Sequence, residues 1–313
     1  MAVRAIFMGT PDFAVPTLEA LVAQGWDILV VTQPDKKVGR KRVLTPTPVK
    51  KAALAHGLPV LQPIKVRARE ALAQLAAFAP DLLVTAAYGQ LLPQALLDMP
   101  RVGAVNVHAS LLPRWRGAAP IHRAIMAGDK KTGVTLMEMV RELDAGPIIA
   151  QAEVPITEQD NVDSLHDKLA HLGAEMSIQY LPQYLEGQLQ IREQPTDGVT
   201  YAARLERTDE FVDFNQPSQV VYDHIRGLAS WPGATTFVGG EAIKLWAVEP
   251  IGTAVRLKPG EVARVHKDVL VGCADGCLRL LELQPAGRRK MSAGDWRSGL
   301  HQASVQFEKG PGV

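Results

Sequence analysis

Three polar side chains in the middle of the chain have the types and the setting that acyl-transfer chemistry requires. Asn106 and His108 lie two residues apart at the end of an apolar run, and the turn sequence Ser110-Leu111-Leu112-Pro113 follows directly. Asp144 comes later, immediately before an Ala-Gly pair. An amide and an imidazole can donate hydrogen bonds to a developing oxyanion, and a carboxylate can orient the imidazole or accept a proton itself. These residue types therefore predict an acyl-transfer site.

Each of these residues also has a simple structural interpretation. A lone histidine at a strand end is more often a hydrogen-bonded structural residue than a catalyst, and asparagine and aspartate are common in caps and turns. Strand geometry favours the catalytic interpretation, because side chains repeat every two residues and Asn106 and His108 therefore project from the same face. The spacing does not show whether Asp144 meets them.

Other catalytic classes lack their sequence signals. Ser110 is not in a G-x-S-x-G elbow, so it is not expected to act as a nucleophile. Cys273 and Cys277 have no second pair and no histidines at zinc-site spacing, and they are interpreted as strand residues around a hairpin turn. Neither a Walker sequence nor H-E-x-x-H is present. The sequence therefore predicts no catalytic metal and no ATP site.

The composition is that of a globular protein without a global charge. The 313 residues are 47% hydrophobic and 21% charged, and the net charge is +1. Any anionic partner must therefore be bound by a local basic patch. Two cysteines cannot build a disulfide framework, the N-terminus reaches turn residues too early for a signal peptide, and no apolar run approaches the roughly 20 residues of a membrane span. We expect a cytoplasmic protein.

The elements that must position the candidate residues form an α/β pattern. Strand, turn, helix and strand follow one another within residues 3–32, and buried strands recur at Asp81–Ala86 and Gly103–Val107. Such βαβ units predict a mostly parallel, Rossmann-like sheet. The first turn lacks G-x-G-x-x-G, which argues against a classical dinucleotide site. Open α/β sheets bind ligands at the carboxyl ends of their strands, where Tyr88 and the 106–108 pair are placed, although Tyr88 is equally compatible with packing.

Two domains and a linker are predicted. Residues 1–186 carry the α/β pattern and form the N-terminal domain. Residues 187–206 are rich in Gly, Pro and polar residues without a helical period, and they are interpreted as a linker. Residues 207–313 contain a short helix and then short strands separated by Gly, Pro and Asp turns, which predicts a C-terminal β-barrel of the OB type.

The most basic segment of the chain covers residues 34–51. Its cationic residues are Lys36, Lys37, Arg40, Lys41, Arg42, Lys50 and Lys51. Prolines and a glycine prevent a continuous helix, so most of the segment is predicted to be an exposed loop. Its charges are either simply solvated or form a flexible arm that contacts phosphates. The segment by itself does not decide between these two interpretations.

The order of the motifs resembles a known enzyme family. Asn106-x-His108, the 110–113 turn, Arg116-Gly117 with Pro120, and Leu143-Asp144-x-Gly146 together resemble the signature of the 10-formyltetrahydrofolate-dependent formyltransferases. Further segments resemble the branch of that family that formylates methionyl-initiator tRNA: FMGTPDFAVPTLEAL, PDKKVGRKRVLTPTPVK, DLLVTAAYGQLLP, IRGLASWPGA and LLELQPAGRRKMSAGDW. The resemblance covers nearly the whole chain, whereas the smaller glycinamide ribonucleotide formyltransferases of the family have neither the basic insert nor the second domain.

The resemblance implies a reaction and a role for each motif. A formyl group would pass from 10-formyltetrahydrofolate, bound as a co-substrate, to the free amino group of methionyl-initiator tRNA, without a metal. Asn106, His108 and Asp144 would be the catalytic trio. The folate would bind at Ser110 to Pro113, with Tyr88 beside it.

The resemblance also implies how the acceptor is held. Arg40, Lys41 and Arg42 would contact the tRNA, and the barrel of residues 207–313 would hold its helical arm through the phosphates. We expect a monomer without membrane association. The chain departs from the family pattern at His122-Arg123, at residues 207–211 and at Ser230, which leaves the catalytic trio untouched.

Other functions remain open at this point. A hydrolase that releases formate from the same donor needs no acceptor-binding surface, so the basic segment and the second domain argue against it. A formyltransferase acting on a small amine would keep the catalytic trio. A non-catalytic RNA-binding module would leave that trio without a role. Formyl transfer to tRNA is the interpretation that uses all of the motifs.

Overall fold

Two compact units make up the chain. The computed structural model describes residues 2–39, 41–251, 255–300 and 305–310. The first unit comprises the described residues of 1–117, 131–155 and 166–202, and the second comprises those of 118–130, 156–165 and 203–313. Within the described ranges, no helix has the length and apolarity needed to cross a lipid bilayer.

Strands and helices alternate through the first part of the chain, as the α/β pattern predicts. From the N-terminus to residue 185 the elements are β1 (Arg4–Gly9), α1 (Val15–Ala23), β2 (Asp27–Val31), β3 (Lys36–Val38), β4 (Val43–Thr45), α2 (Pro48–Ala55), β5 (Val60–Leu61), α3 (Arg69–Ala77), β6 (Leu82–Ala86), α4 (Gln94–Leu97), β7 (Gly103–His108), β8 (Arg116–Gly117), α5 (Pro120–Met126), β9 (Lys131–Glu138), β10 (Ile148–Pro155) and α6 (Val162–Leu185). The sequence prediction did not include α4, whose single turn is too short for a helical period to appear.

The first unit is built on a sheet with strand order β10-β9-β7-β6-β1-β2-β5. The strands from β7 to β5 pair in parallel, and β9 is antiparallel to both of its neighbours. The central strands are almost wholly apolar because helices cover both faces of such a sheet, and Ile6, Met8 and Leu83 are fully buried. The predicted mostly parallel sheet is confirmed.

Strand β7 carries two of the candidate catalytic residues at its carboxyl end. Asn106 lies opposite Thr85 of the parallel strand β6. His108 lies opposite Thr135 of the antiparallel strand β9. The candidate residues are therefore flanked on both sides by threonine-bearing strands.

The basic segment differs in part from the predicted exposed loop. Strands β3 and β4 pair antiparallel, with Val38 opposite Val43, so the segment forms a hairpin. The predicted exposure is confirmed, because Val38, Val43 and Leu44 are each more than half exposed. The predicted lack of regular structure is wrong. Two short β-prone runs flank a turn in which Gly39 adopts a φ of 72°, and such runs close into a hairpin despite the surrounding prolines.

The C-terminal part of the chain is dominated by short strands. Its elements are β11 (Tyr201–Ala202), α7 (Ser218–Gly227), β12 (Ala234–Val238), β13 (Glu241–Pro250), β14 (Glu261–Val265), β15 (Asp268–Gly272), β16 (Cys277–Pro285), β17 (Met291–Ser292), α8 (Ala293–Ser298) and β18 (Val305–Gln306). The sheet order is β12-β13-β16-β15-β14-β18, and an antiparallel bridge between Phe237 and Glu308 nearly closes it. The predicted β-barrel is confirmed.

Positions that depart from the family pattern contact one another in the second unit. Arg123 of α5 forms a bidentate ion pair with Asp209, with N–O distances of 2.9 and 2.8 Å. These hydrogen bonds from the guanidinium hold the pKa of the Asp209 carboxyl below its usual range. His122 packs edge-on against Trp231, the residue after Ser230. Arg123 and His122 therefore each contact a residue within or next to another of the departing segments.

Candidate active site

His108 and Asp144 approach each other from different elements of the first unit. His108 ends β7, and Asp144 lies in the turn between β9 and β10. The imidazole Nδ1 is 3.8 Å from the carboxylate Oδ2, and the backbone N–H of Gly117 donates to that same oxygen at 2.8 Å. Only 6% of the His108 side chain and 15% of the Asp144 side chain are exposed, so water screens the pair weakly.

The hydrogen bond at the other imidazole nitrogen fixes the tautomer of His108. Nε2 lies 2.9 Å from the backbone carbonyl of Trp115, which can only accept a hydrogen bond, so Nε2 carries the proton. In the neutral ring, Nδ1 therefore presents a lone pair to the site. His108 accepts a proton at Nδ1 first and can donate from that nitrogen only after the ring is protonated.

Asn106 is oriented by a threonine on the neighbouring strand. The Thr85 hydroxyl donates to the Asn106 side-chain oxygen at 2.7 Å. The oxygen is therefore engaged, and the NH₂ group is the end of the amide that is left to donate. Thr85 was not among the predicted site residues, although a threonine in an otherwise apolar strand is a signal that could have identified it.

A buried hydroxyl on β9 makes two of the hydrogen bonds that hold the turn from Ser110 to Pro113. Thr135 Oγ1 donates to the Ser110 carbonyl at 2.6 Å and accepts from the Leu112 backbone N–H at 3.1 Å and from Gln151 Nε2 at 2.9 Å. The Ser110 hydroxyl donates to the carbonyl of residue 114 at 2.6 Å, so it is not poised as a nucleophile. The role of Thr135 was not predicted from the sequence, because its partners lie far away in the chain.

Tyr88 has a buried ring and a hydrogen-bonded backbone. Its carbonyl accepts from the Thr10 hydroxyl at 2.8 Å and from Gln33 Nε2 at 3.2 Å. The ring belongs to a hydrophobic cluster that includes Val66 and Leu96. Burial raises the pKa of the phenol to about 12, so the side chain stays neutral. The predicted contact of Tyr88 with a donor folate stays a prediction.

The two cysteines are hairpin residues. Cys273 follows β15, Cys277 begins β16, and the backbone N–H of Cys273 donates to the Gly276 carbonyl at 2.7 Å. Burial raises the pKa of the Cys273 thiol to about 12, which disfavours the thiolate that a metal would need. Across the described residues, no three His, Cys, Asp or Glu side chains are grouped so as to hold a metal ion. The hairpin interpretation is confirmed.

Two protein-family models match successive parts of the chain. A family model described as formyl transferase matches residues 2–181. The chain belongs to the formyl transferase family. A second model, described as formyl transferase, C-terminal domain, matches residues 204–301 of this formyl transferase.

Individual relatives of this formyl transferase match it almost end to end. The methionyl-tRNA formyltransferase of Geobacillus sp. (strain WCH70) is 49% identical over 300 residues, which are 95% of this chain and 94% of that protein. The methionyl-tRNA formyltransferase of Bacillus subtilis (strain 168) is 47% identical over 301 residues, covering 95% of each. A crystal structure of an N-formyltransferase from Helicobacter canadensis, in complex with folinic acid and dTDP-3-aminofucose, has a TM-score of 0.68 at 14% identity and covers 93% of this chain and 100% of that one. At that identity the solved structure shows the shared fold alone.

The basic hairpin of this formyl transferase presents cations to solvent. Lys41 and Arg42 are exposed, and Arg40 lies outside the described residues. Lys50 instead forms an ion pair with Asp35 at 2.7 Å, and this hydrogen bond lowers the pKa of the Asp35 carboxyl. Among the described cations of the segment, Lys50 is paired with Asp35, whereas Lys41 and Arg42 are exposed on the hairpin.

Replacing Thr135 by valine is expected to destabilise the formyl transferase by about 2–6 kcal/mol. Valine keeps the shape of the side chain but leaves two backbone groups of the 110–113 turn without their partner, and each buried unsatisfied group costs about 1–3 kcal/mol. Urea unfolding followed by circular dichroism measures the change. Thr135→Ser, which keeps the hydroxyl, is the control. Equal stability of the valine and serine variants would show that the hydroxyl does not hold the turn.

Proposed function

We propose that this formyl transferase moves the formyl group of 10-formyltetrahydrofolate to the α-amino group of methionyl-initiator tRNA, giving N-formylmethionyl-tRNA for translation initiation. The observation that carries the proposal is the 47–49% identity to methionyl-tRNA formyltransferases over 95% of the chain. That match extends through the hairpin and the barrel, which a transfer to a small acceptor would not require. The proposal places the protein in the cytoplasm, as a monomer.

The proposed donor site lies beside the catalytic pair. The 110–113 turn begins two residues after His108, and the Ser110 backbone N–H donates to the His108 carbonyl at 2.9 Å. Ser110 and Leu112 are buried, so the backbone of the turn is held fixed. A rigid turn at the carboxyl edge of a parallel sheet suits a co-substrate whose formyl group must be placed within reach of Asn106 and His108.

The reaction requires one carbon–nitrogen bond to form and one to break, with a proton passing from the attacking amine to the departing nitrogen. The Asn106 NH₂ group is oriented to donate to the carbonyl oxygen as charge develops there, and one such donor contributes about 10²–10³ in rate. Nδ1 of His108 accepts the proton that the amine loses. The resulting imidazolium is stabilised by the Asp144 carboxylate 3.8 Å away, and Nδ1 then holds a proton to return.

No covalent intermediate on the protein is part of this proposal. The only hydroxyl beside His108 in the motif is that of Ser110, and it is already donating to the carbonyl of residue 114. Direct attack by the acceptor amine therefore accounts for the residues present. The amine must be neutral to attack, so the rate is expected to fall at low pH as the acceptor becomes protonated.

The hairpin supplies a surface that suits the proposed tRNA acceptor. Lys41 and Arg42 are exposed cations, and Val38, Val43 and Leu44 expose apolar side chains next to them. Cations on an exposed hairpin can contact phosphates, and the adjoining apolar side chains can pack on unstacked bases. A hydrolase with water as acceptor would gain nothing from such a surface.

Replacing Lys41 and Arg42 by alanine is expected to raise KM for methionyl-tRNA about 10-fold or more while KM for the folate donor stays within about twofold, because the lost cations contact only the acceptor. Initial rates over a range of tRNA and of donor concentrations separate the two constants. Lys65→Ala with Lys130→Ala, a charge-matched pair outside the hairpin, is the control. An unchanged KM for tRNA would show that the hairpin charges are simply solvated and do not bind the acceptor.

The proposed reaction is tested directly by incubating the protein with 10-formyltetrahydrofolate and methionyl-initiator tRNA and identifying N-formylmethionine after deacylation of the tRNA. Formate release without charged tRNA measures the hydrolase alternative in the same reaction. Formyl-methionine that depends on both substrates supports the proposal. Formate release at the same rate with and without tRNA would replace it with the hydrolase.

A further inference from the structure

A strap of the chain, residues 192–202, runs across the loops that carry the catalytic pair. It begins with antiparallel backbone hydrogen bonds between Arg192 and Ile148, at 2.7 and 3.1 Å. It ends where β11 pairs in parallel with β8, with Tyr201 opposite Arg116. Between these anchors the strap has no regular secondary structure. There, the polar side chains of the strap are free of a strand pairing of their own and can hydrogen-bond to the backbone of the loops.

Gln194 makes the central contact of the strap. Its Nε2 donates to the backbone carbonyls of Asp144 and Gly146, both at 2.8 Å. Its Oε1 accepts from Arg116 Nη2 at 2.7 Å and from Arg116 Nε at 3.1 Å. The guanidinium can only donate, so it fixes the oxygen end of the amide and directs the NH₂ end at the Asp144 turn. All of the hydrogen-bonding groups of this amide are used.

The turn that Gln194 holds is conformationally demanding. Asp144 has a φ of 48°, in the left-handed region that non-glycine residues seldom occupy. Such a conformation costs about 1–3 kcal/mol and persists only where surrounding contacts enforce it. At Gly146 the turn packs so closely on the Glu138 carbonyl that a side chain would overlap it. The two hydrogen bonds from Gln194 thus restrain the backbone that aims the Asp144 carboxylate.

The other end of the strap reaches the partner of His108. Thr200 Oγ1 accepts from the Trp115 backbone N–H at 2.9 Å, and the Thr200 carbonyl accepts from the Arg116 backbone N–H at 2.9 Å. Trp115 also has a positive φ, of 66°. Its carbonyl is the group that accepts from His108 Nε2. Thr200 therefore restrains the peptide that fixes the His108 tautomer.

We infer that Gln194 and Thr200 are positioning residues for formyl transfer: the strap holds the Asp144 turn and the Trp115 peptide so that His108 and Asp144 stay paired. The inference rests on the proposed roles of His108 and Asp144. The strap contacts the Asp144 turn directly and His108 through the Trp115 peptide, whereas only the histidine lies on a strand of the sheet. Neither strap residue contacts the reacting atoms in this role, so each acts through the residue that it holds.

Gln194→Glu is the sharpest test. Glutamate keeps the acceptor for Arg116 but places an oxygen against the carbonyls of Asp144 and Gly146, which repels the turn. We expect kcat for methionyl-tRNA formylation to fall about 10²-fold, the effect of misplacing a catalytic group by about 1 Å, while both KM values stay within about twofold. Gln188→Glu is the matched control, because the Gln188 side chain is exposed in the preceding segment and hydrogen-bonds to the Glu186 side chain, outside the site.

Two measurements separate positioning from general stability. In a double-mutant cycle with Asp144→Asn, Gln194→Glu should cause little further loss of kcat, because its effect passes through Asp144. Hydrogen exchange should accelerate in the peptide that contains residues 140–147 and stay unchanged in the barrel. An equal fall in kcat on adding Gln194→Glu to the wild-type and to the Asp144→Asn protein would overturn the inference. Unchanged hydrogen exchange in the Asp144 turn would also overturn it. A wild-type kcat for Gln194→Glu would also overturn it.

Thr200→Val tests the other end of the strap and keeps the inference testable should Gln194→Glu fold poorly. Valine removes the acceptor for the Trp115 N–H, and we expect a fall in kcat of about 10-fold or more with unchanged KM values. Thr200→Ser should restore the rate. Equal rates for the valine and serine variants would overturn this half of the inference. A wild-type protein that forms no formyl-methionine at all would instead contradict the proposed function.

Discussion

Replacing His108 by alanine is expected to lower kcat for methionyl-tRNA formylation by about 10²–10⁴-fold, the range contributed by a positioned general acid–base. The acceptor amine must lose a proton during transfer, and the Nδ1 lone pair of His108 is the group oriented to take it. The KM values are expected to stay within about threefold, because the imidazole acts in the chemical step rather than in substrate binding. Steady-state rates with saturating donor and charged tRNA measure the effect.

Two controls test whether a loss of kcat in His108→Ala comes from the missing imidazole. His171→Ala removes an exposed imidazole from the same unit, whose Nδ1 hydrogen-bonds to the carbonyl of Asp167, and should leave kcat unchanged. Thermal unfolding of both variants shows whether the cavity left by the buried His108 side chain has unfolded the protein. A folded His108→Ala protein with near-normal turnover would remove His108 from the proposed mechanism.

Replacing Asp144 by asparagine is expected to lower kcat by a similar factor, about 10²–10⁴-fold. Asparagine has the same shape and can still accept from the Gly117 N–H, so the turn should keep its structure. It lacks the negative charge that, in the proposed mechanism, stabilises the His108 imidazolium across 3.8 Å in a buried site, where a unit charge is screened weakly. The measurement is kcat at saturating concentrations of both substrates.

The matched control for Asp144→Asn is Glu142→Gln, which removes an exposed carboxylate two positions earlier in the same loop. It should have the wild-type rate. The double variant His108→Ala with Asp144→Asn should lose little more than either single variant, because residues that act as a unit are strongly non-additive. Multiplied losses in the double variant would show that the two residues act independently, which contradicts the proposed pair.

The pairing of Arg123 with Asp209 gives an unusual residue a structural partner far away in the chain. Taken one at a time, each position is an unusual residue on a helix or in a turn. In the structure the two lie 86 positions apart and form a bidentate ion pair. A departure at one position therefore gains its explanation from the residue that it contacts, which local sequence does not reveal.

Much of the fold follows from the sequence, because its signals are local. Apolar β-prone runs such as Leu82–Ala86 can be stable only in the buried centre of a sheet, and their alternation with helical periods predicts the parallel pairing. Short strands separated by turn residues predict the barrel in the same way. The spacing of Asn106 and His108 places them on one strand. The residue types that suggest catalysis and the motifs that carry the family resemblance also lie within short stretches of the sequence.

The conformations of the hairpin and of the strap could not be predicted from local sequence signals. Residues 36–45 are highly charged and are flanked by prolines, so a loop was predicted. In the structure they form a hairpin, because β3 pairs with β4. Residues 192–202 lack any period and are rich in polar residues. A segment whose order comes from side-chain hydrogen bonds to distant backbone groups has no periodic signal, so it resembles a linker.

The two folds, the strand that carries Asn106 and His108, and the class of reaction all follow from local sequence signals. The 3.8 Å approach of Asp144 to His108, the Trp115 carbonyl that fixes the imidazole tautomer, and the hold of Gln194 on a turn 50 positions away appear only in the folded chain. The two groups of features differ in the range of the interactions that set them. Periodicity and turn chemistry act between neighbours in the chain, whereas a catalytic geometry is set by hydrogen bonds between residues that only folding brings together.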